Sequence, residues 1–272
     1  MNKTALKRLL IGDFSFKRVL RSAILIYGIV GLWAFLDSDR LIFQPQPSSY
    51  QDSAEFVKLT VANGTKITGR YWPNPQAQYT ILYSHGNAED LGVIESRLQQ
   101  LQQLGFAVFA YDYQGYGTSE GQPSTQGTYL DIDAAYQYLT GALQILPSQI
   151  IIYGRSVGGG PLVDLARREP VGGLILESTF TTAFRVLTRV SIFPFDKFRN
   201  LDKIKEVTSP VLILHGKRDQ VIPFSHSEQL FEVANEPKLF FAIESANHND
   251  LVEMAGDDYG KILQEFVELI ER

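Results

Sequence analysis

The sequence contains no cysteine. That absence removes disulfides, thiolate metal sites, a cysteine nucleophile and S-acylation together, and it leaves the redox compartment open. Histidine is scarce: four occur in 272 residues, so any chemistry that needs an imidazole base has few candidates. No low-complexity tract and no repeat period interrupts the chain. What remains is 44% hydrophobic and 20% charged, enough for one large α/β domain and too little for two substantial ones.

A net charge of −5 conceals an asymmetry. Residues 1–21 hold Lys3, Lys7, Arg8, Lys17, Arg18 and Arg21 against Asp13, a surplus of +5 that leaves −10 for the rest. So acidic a body speaks against a nucleic-acid partner. Residues 22–36 then run without a charge, and with Val19 and Leu20 they approach the ~17–20 residues that span a bilayer. Three readings compete. A cleaved signal peptide wants small residues at a cleavage point, which the segment around Trp33 and Phe35 lacks. A packed amphipathic helix wants polar residues at helical spacing, and the run has none. An uncleaved signal anchor over 22–38 fits best, with residues 1–21 cytoplasmic and residues 39–272 on the other side of a lipid bilayer.

Beyond the prolines at 45 and 47, the pattern changes to that of a sheet. Residues 55–61 and 65–72 flank Asn63-Gly64, whose positive-φ tolerance predicts a β-hairpin. Strands are expected at 79–84, 107–111, 150–153, 173–176, 211–214 and 238–243, with helices at 90–104, 125–143, 161–168, 225–234 and 251–271. A hairpin followed by repeated βα units predicts a mostly parallel central sheet with helices on both faces. Residues 179–207 exceed an ordinary connection and carry Phe180, Phe184, Phe193, Phe195 and Phe198. They predict either a crossover helix with a core face or, the preferred reading, a small cap lined for an apolar substrate.

The pentad Gly154-Arg155-Ser156-Val157-Gly158 follows the apolar run 150–153 and precedes a helix-compatible segment. Strand, tight turn with serine at its apex, then helix is the context of a nucleophile elbow. A second match, Gly117-Thr118-Ser119-Glu120-Gly121, has no strand entering it and is followed by Gln122-Pro123, so Ser119 belongs to a loop.

A serine hydroxyl needs an imidazole to take its proton, and that imidazole needs a carboxylate to hold its tautomer. In this architecture both should follow the serine, at the ends of later strands, in the order Ser, acid, His. His85 precedes the elbow, His215 ends a strand and His226 opens a helix. Only His248, in the polar loop after the last strand, has the expected place. Asp219, in the loop after strand 211–214, is the expected acid; Glu177 is the runner-up, and Asp112 precedes the elbow. Oxyanion donors are expected from the backbone N–H of Val157 and of Asn87. No metal or cofactor is implied.

The motifs His85-Gly86-Asn87-Ala88-Glu89-Asp90-Leu91-Gly92, Tyr111-Asp112-Tyr113-Gln114-Gly115-Tyr116-Gly117, Asp131-Ile132-Asp133-Ala134-Ala135, Tyr153-Gly154-Arg155-Ser156-Val157-Gly158 and His215-Gly216-Lys217-Arg218-Asp219 resemble those of α/β-hydrolase-fold serine hydrolases. The nearest resemblance is to the α/β-hydrolase-domain-containing protein 13 and 17 group, over most of residues 40–270. It implies a Ser156–Asp219–His248 triad. In the protein 17 branch it implies removal of palmitate from cysteine thioesters by a protein with a cysteine-rich, acylated N-terminus. This chain has a hydrophobic anchor instead, as the protein 13 branch does. The expectation is a serine hydrolase acting on small acyl esters, thioesters or acylated proteins. The alternatives are an aminopeptidase-like hydrolase of the same fold, which would need a carboxylate cluster from Asp196, Asp202 and Glu206, and a silent scaffold.

Overall fold

In the computed structural model, which describes residues 15–272, eight strands join in one sheet. They are β1 (Phe56–Thr60), β2 (Lys66–Trp72), β3 (Thr80–Ser84), β4 (Ala107–Tyr111), β5 (Ile150–Arg155), β6 (Gly173–Glu177), β7 (Val211–Gly216) and β8 (Lys238–Ile243), in the spatial order β1-β2-β4-β3-β5-β6-β7-β8. β1 and β2 form the predicted hairpin, turning at Gly64 with φ +86, and β2 lies antiparallel to β4. Every other pairing is parallel.

The body's helices are α3 (Glu95–Gln103), α4 (Thr125–Gln137), α5 (Gly159–Arg168), α6 (Ala183–Thr188), α7 (Asn200–Lys203), α8 (Ser225–Val233), α9 (Leu251–Ala255) and α10 (Asp257–Ile270). Alternate strand residues face opposite cores, as the two-residue period requires. Leu82, Phe109, Ile152, Leu176 and Ile213 pack with Ile132 of α4, Leu162 and Leu165 of α5 and Leu230 of α8. Ile81, Tyr83, Val108, Tyr153 and Leu214 pack with Leu98 and Leu101 of α3 and with Ile262, Leu263 and Phe266 of α10. Burial on both faces explains why β3 to β7 read as unbroken apolar runs.

Several helix boundaries differ from the sequence pattern. Residues 251–271 are two helices, because Gly256 adopts φ +53 and its N–H bonds the Val252 and Glu253 carbonyls, closing α9. The first part of 90–104 is a turn in which Asp90 carboxylate oxygens accept from Val93 N–H (3.0 Å) and Ser49 N–H (2.7 Å). The end of 125–143 relaxes into a π turn over Tyr138–Ala142.

Residues 179–207 are not a single crossover helix. α6, α7 and a 3₁₀ turn (Ile204–Glu206) are separated by irregular chain that leaves the carboxyl end of β6. Phe180 and Phe198 join the core. Phe184, Phe193 and Phe195 pack on one another, the last two stacked at 5.3 Å.

The chain divides into compact units between Leu41 and Ile42. In the N-terminal unit, α1 (Phe16–Asp37) has 22 residues and a mean hydropathy of 2.0 over its best window, long and apolar enough to cross a membrane. A four-residue helix, α2 (Asp39–Ile42), follows. α1 begins before the apolar run because Lys17, Arg18 and Arg21 favour helix as well as most apolar residues do; charge ends a hydrophobic run, not a helix. Of the basic segment, Lys3, Lys7, Arg8 and the lone Asp13 lie outside the described residues.

Candidate active site

β4 and β5 depart from opposite sides of β3, so the loops after β3 and β5 diverge and leave a crevice at the carboxyl edge of the sheet. The loop after β3 is His85-Gly86-Asn87. The loop after β5 is the elbow, where Ser156 has φ +53, a left-handed conformation that costs a non-glycine residue of order 1–3 kcal/mol. The turn exists because its neighbours have no Cβ. One at Gly154 would lie 2.7 Å from the Gly158 carbonyl oxygen, and one at Gly158 would lie 2.2 Å from that of Ser84. The same contact places the elbow directly on the end of β3, beside the His85-Gly86-Asn87 turn.

Ser156, His248 and Asp219 lie in one hydrogen-bonded line. Ser156 Oγ is 3.2 Å from His248 Nε2, and His248 Nδ1 is 2.7 Å from Asp219 Oδ2. The second Asp219 oxygen accepts the backbone N–H groups of Val221 and Ile222, both at 2.8 Å. His215 adds a further contact, its Nε2 lying 3.2 Å from Asp219 Oδ2 and 3.0 Å from the Ile222 carbonyl, while Ser227 Oγ is 2.5 Å from its Nδ1. Burial alone would raise the Asp219 pKa. The hydrogen bonds from His215 and His248, the His248 charge and the Ile222 N–H outweigh it and hold the carboxyl well below the usual carboxylate range.

Arg155, at the first variable position of the pentad, ties the surrounding loops together. It is 4% exposed, and its Nη1 bonds Glu89, whose other oxygen accepts Gly86 N–H at 2.7 Å. Its Nη2 donates to the His248 carbonyl (3.1 Å) and to Asn249 Oδ1 (2.7 Å). One guanidinium therefore holds the turn after β3 and the His248 loop at the same time. Asn247 Oδ1 accepts Gln220 N–H at 3.1 Å and so links the His248 loop to the Asp219 loop.

Val157 follows Ser156 in the first turn of the elbow helix, where backbone N–H groups have no intrahelical acceptor. Asn87 is held by its side chain: Nδ2 donates to the Ile42 carbonyl (2.7 Å), and Oδ1 accepts Tyr116 Oη (2.6 Å) and Gln44 N–H (2.9 Å). The remaining candidates have other partners. Glu177 Oε1 is 2.7 Å from Arg97 Nη1 and 3.3 Å from Arg155 Nε, and Oε2 accepts the Tyr153 hydroxyl. Asp112 accepts Leu91 N–H (3.0 Å) and Tyr50 Oη (2.6 Å), and lies 3.3 Å from His85 Nε2. Ser119 Oγ bridges the Asp112 carbonyl and Thr68 N–H. His226 Nδ1 accepts Thr181 N–H at 3.1 Å. Among the described residues no metal-ligating cluster of three or more His, Cys, Asp or Glu occurs.

Sequence reasoning missed His215, Ser227, Arg155 and Glu89. A usable signal existed for two of them: a histidine four residues before the acid on the same strand end, and an arginine inside a turn that must be buried.

A doubly wound sheet carrying a strained serine elbow defines the α/β-hydrolase class. Residues 75–193 match the family model Hydrolase_4, described as serine aminopeptidase, S33. The chain is 41% identical over 239 residues to α/β-hydrolase domain-containing protein 17B of Homo sapiens, spanning 86% of this chain and 82% of that protein. It is 42% identical over 197 residues to protein 17C of Mus musculus, spanning 71% and 61%. The chain belongs to the α/β-hydrolase domain-containing protein 17 family, and is a hydrolase by that membership. An esterase of Pyrococcus furiosus superposes with a TM-score of 0.71 at 16% identity, covering 83% of this chain and 98% of that one. A Butyrivibrio proteoclasticus protein bound to ferulic acid gives 0.66 at 19%, covering 79% and 100%. At such identities the likeness is one of fold.

Proposed function

We propose that this chain is a membrane-anchored serine hydrolase that cleaves carboxylic esters or thioesters through an acyl-enzyme. The observation that carries this reading is the unbroken line from Ser156 Oγ through His248 to Asp219 on the strained elbow. Ser156 Oγ attacks the acyl carbonyl as His248 Nε2 takes its proton, while Asp219 stabilises the imidazolium. The N–H groups of Val157 and Asn87 hold the oxyanion. The carbon–oxygen or carbon–sulfur bond then breaks, and the imidazolium returns the proton to the departing alcohol or thiol. Water, deprotonated by His248, releases the carboxylic acid and restores Ser156. The esterases among the structural relatives support this chemistry by analogy.

The acyl group is apolar in this reading, because Phe184, Phe193 and Phe195 form an aromatic cluster in the segment after β6. Phe180 and Phe198, committed to the core, are not part of that surface. With ~0.8 kcal/mol per buried methylene, kcat/KM should rise from acetyl to octanoyl 4-nitrophenyl esters, and rise less in Phe193→Asp. Flat dependence in the unmutated protein would leave these aromatics a packing role only.

An aminopeptidase is disfavoured by the same segment. Asp196 accepts the Phe184 and Lys197 backbone N–H groups, Asp202 pairs with Arg199 and Glu206 with Arg167, so the carboxylates have local partners in place of a substrate ammonium. A silent scaffold would not need a connected triad.

One experiment tests both the nucleophile and the topology. A membrane-impermeant fluorophosphonate added to intact cells should label the protein and its Ser119→Ala variant, but not Ser156→Ala. Labelling that persists in Ser156→Ala removes that serine as nucleophile. Labelling only after the cells are opened places the body on the cytoplasmic side, against the orientation read from the basic N-terminal residues.

A further inference from the structure

Beside the triad lies a cavity of about 430 Å³ that the proposed mechanism does not use. Its walls include Arg185 and Arg189 from the segment after β6, Ser225, His226 and Gln229 from α8, and Asp219 itself. Two arginines set the charge of this wall against the single carboxylate of Asp219. Arg185 Nη2 donates to Gln229 Oε1 at 3.1 Å, while its Nε–H is shut off from solvent and has no hydrogen-bond partner. Gln229 is fixed from its other end, Nε2 donating to the Ser225 carbonyl at 3.0 Å. His226 Nδ1 accepts Thr181 N–H, so in the neutral ring the proton sits on Nε2 as a further donor. The ring is neutral at ordinary pH, because burial and the nearby Arg185 push its pKa down to about 4.

The one carboxylate in the wall is outnumbered by the two arginines, and its acceptor sites are taken. Asp219 Oδ1 already accepts two backbone N–H groups, and Oδ2 faces His248 Nδ1 and His215 Nε2. The cavity wall therefore combines two arginines and the neutral His226 ring with one carboxylate whose oxygens already accept hydrogen bonds. Such a lining fits an anion and rejects an ammonium. The segment that supplies Arg185 and Arg189 is tied to the elbow, since Thr179 Oγ1 donates to the Ser156 carbonyl at 2.8 Å.

The geometry points to an anion subsite beside the triad, in which Arg185 and Arg189 bind a carboxylate or phosphate group carried by the substrate. This rests on the serine-hydrolase reading and narrows its substrate class to esters or thioesters that carry, besides an apolar acyl portion, a negative charge within reach of Arg185 and Arg189. Arg185, fixed by its hydrogen bond to Gln229, is the principal contact.

Three esters test it: neutral 4-nitrophenyl butyrate, mono-4-nitrophenyl glutarate with the charge on the acyl side, and 5-butyryloxy-2-nitrobenzoate with the charge on the leaving group. One charged ester should exceed the neutral one in kcat/KM by about tenfold or more, as a charged hydrogen bond allows, and which one does so tells where the anion lies. Arg185→Gln should cut that ester about tenfold and the neutral one no more than about threefold, with Arg185→Lys in between. The subsite is overturned if neither charged ester is favoured, or if Arg185→Gln lowers all three equally. If folded protein hydrolyses none of them and takes up no fluorophosphonate, the hydrolase reading fails. A thermal shift then decides the subsite without chemistry: glutarate should raise Tm above chloride at equal ionic strength in the unmutated protein and not in Arg185→Gln. Equal shifts in both overturn it.

Discussion

Asp219→Asn should lower kcat/KM about 10⁴-fold in a protein that still folds. The magnitude follows from which atom the amide must turn toward His248. Asp219 Oδ1 accepts the N–H groups of Val221 and Ile222, so in the variant only the carbonyl oxygen fits there. The amide NH₂ then occupies the place of Oδ2, 2.7 Å from His248 Nδ1. Two donors cannot face each other, so Nδ1 becomes the acceptor and the proton moves to Nε2, the nitrogen that must accept from Ser156. The imidazole keeps its position but loses its function as base. Ser156→Ala and His248→Ala should each cost up to about 10⁶-fold, and combining either with Asp219→Asn should add little, because the members of a triad act as a unit. Steady-state kinetics on one ester, with circular dichroism to verify folding, measures this. Multiplicative losses in the double variants would show that the residues act separately.

Glu177→Gln should be the most damaging single change to stability among the site's neighbours. The carboxylate is fully buried at the end of β6, facing Arg97 and Arg155 and accepting the Tyr153 hydroxyl. Burial would raise its pKa, but the two arginine charges and the Tyr153 and Arg97 hydrogen bonds reverse this and lower it. A neutral amide would leave Arg155 with Glu89 alone and Arg97 without a buried counter-charge, a loss of about 3–5 kcal/mol. For a body of this size that corresponds to a Tm roughly 10 °C lower. The sign of the pH dependence follows from the lowered folded-state pKa. The stabilisation is fully present above the unfolded carboxyl pKa of about 4.3 and is lost as pH falls through the folded value. The gap between the two proteins should therefore be widest near neutrality and narrow in acid. Superimposable urea transitions at pH 7 would refute the account. Because Arg155 also holds the His248 loop, activity should fall further than the unfolded fraction explains.

Much of this molecule was legible in order along the chain. The strands at 107–111 and 238–243 have the bounds that their apolar patterns predict, and Asn63-Gly64 turns the hairpin. Ser156 was separable from Ser119 because a buried strand enters one pentad and not the other. These are local properties: side-chain periodicity, turn chemistry and the absence of a Cβ act over a few residues and need no partner. Helix ends were less legible. Gly256 divides the last helix and Asp90 holds back the start of α3 through contacts that compete with helical hydrogen bonds.

What only the tertiary structure decided is which polar groups meet. Ser156 and His248 are 92 residues apart, and His248 and Asp219 are 29 apart. Sequence order favoured Asp219 over Glu177, but the reason Glu177 is unavailable is spatial: Arg97 of α3 and Tyr153 and Arg155 of β5 surround it. Arg155 gives no local sign that it joins the turn after β3 to the loop after β8, and nothing in the pattern of 179–207 shows that Arg185 and Asp219 line one cavity. Apolar residues announce themselves by spacing because burial is non-directional and needs only a face. A hydrogen bond or an ion pair needs one particular atom at about 3 Å, and the closed fold alone supplies it.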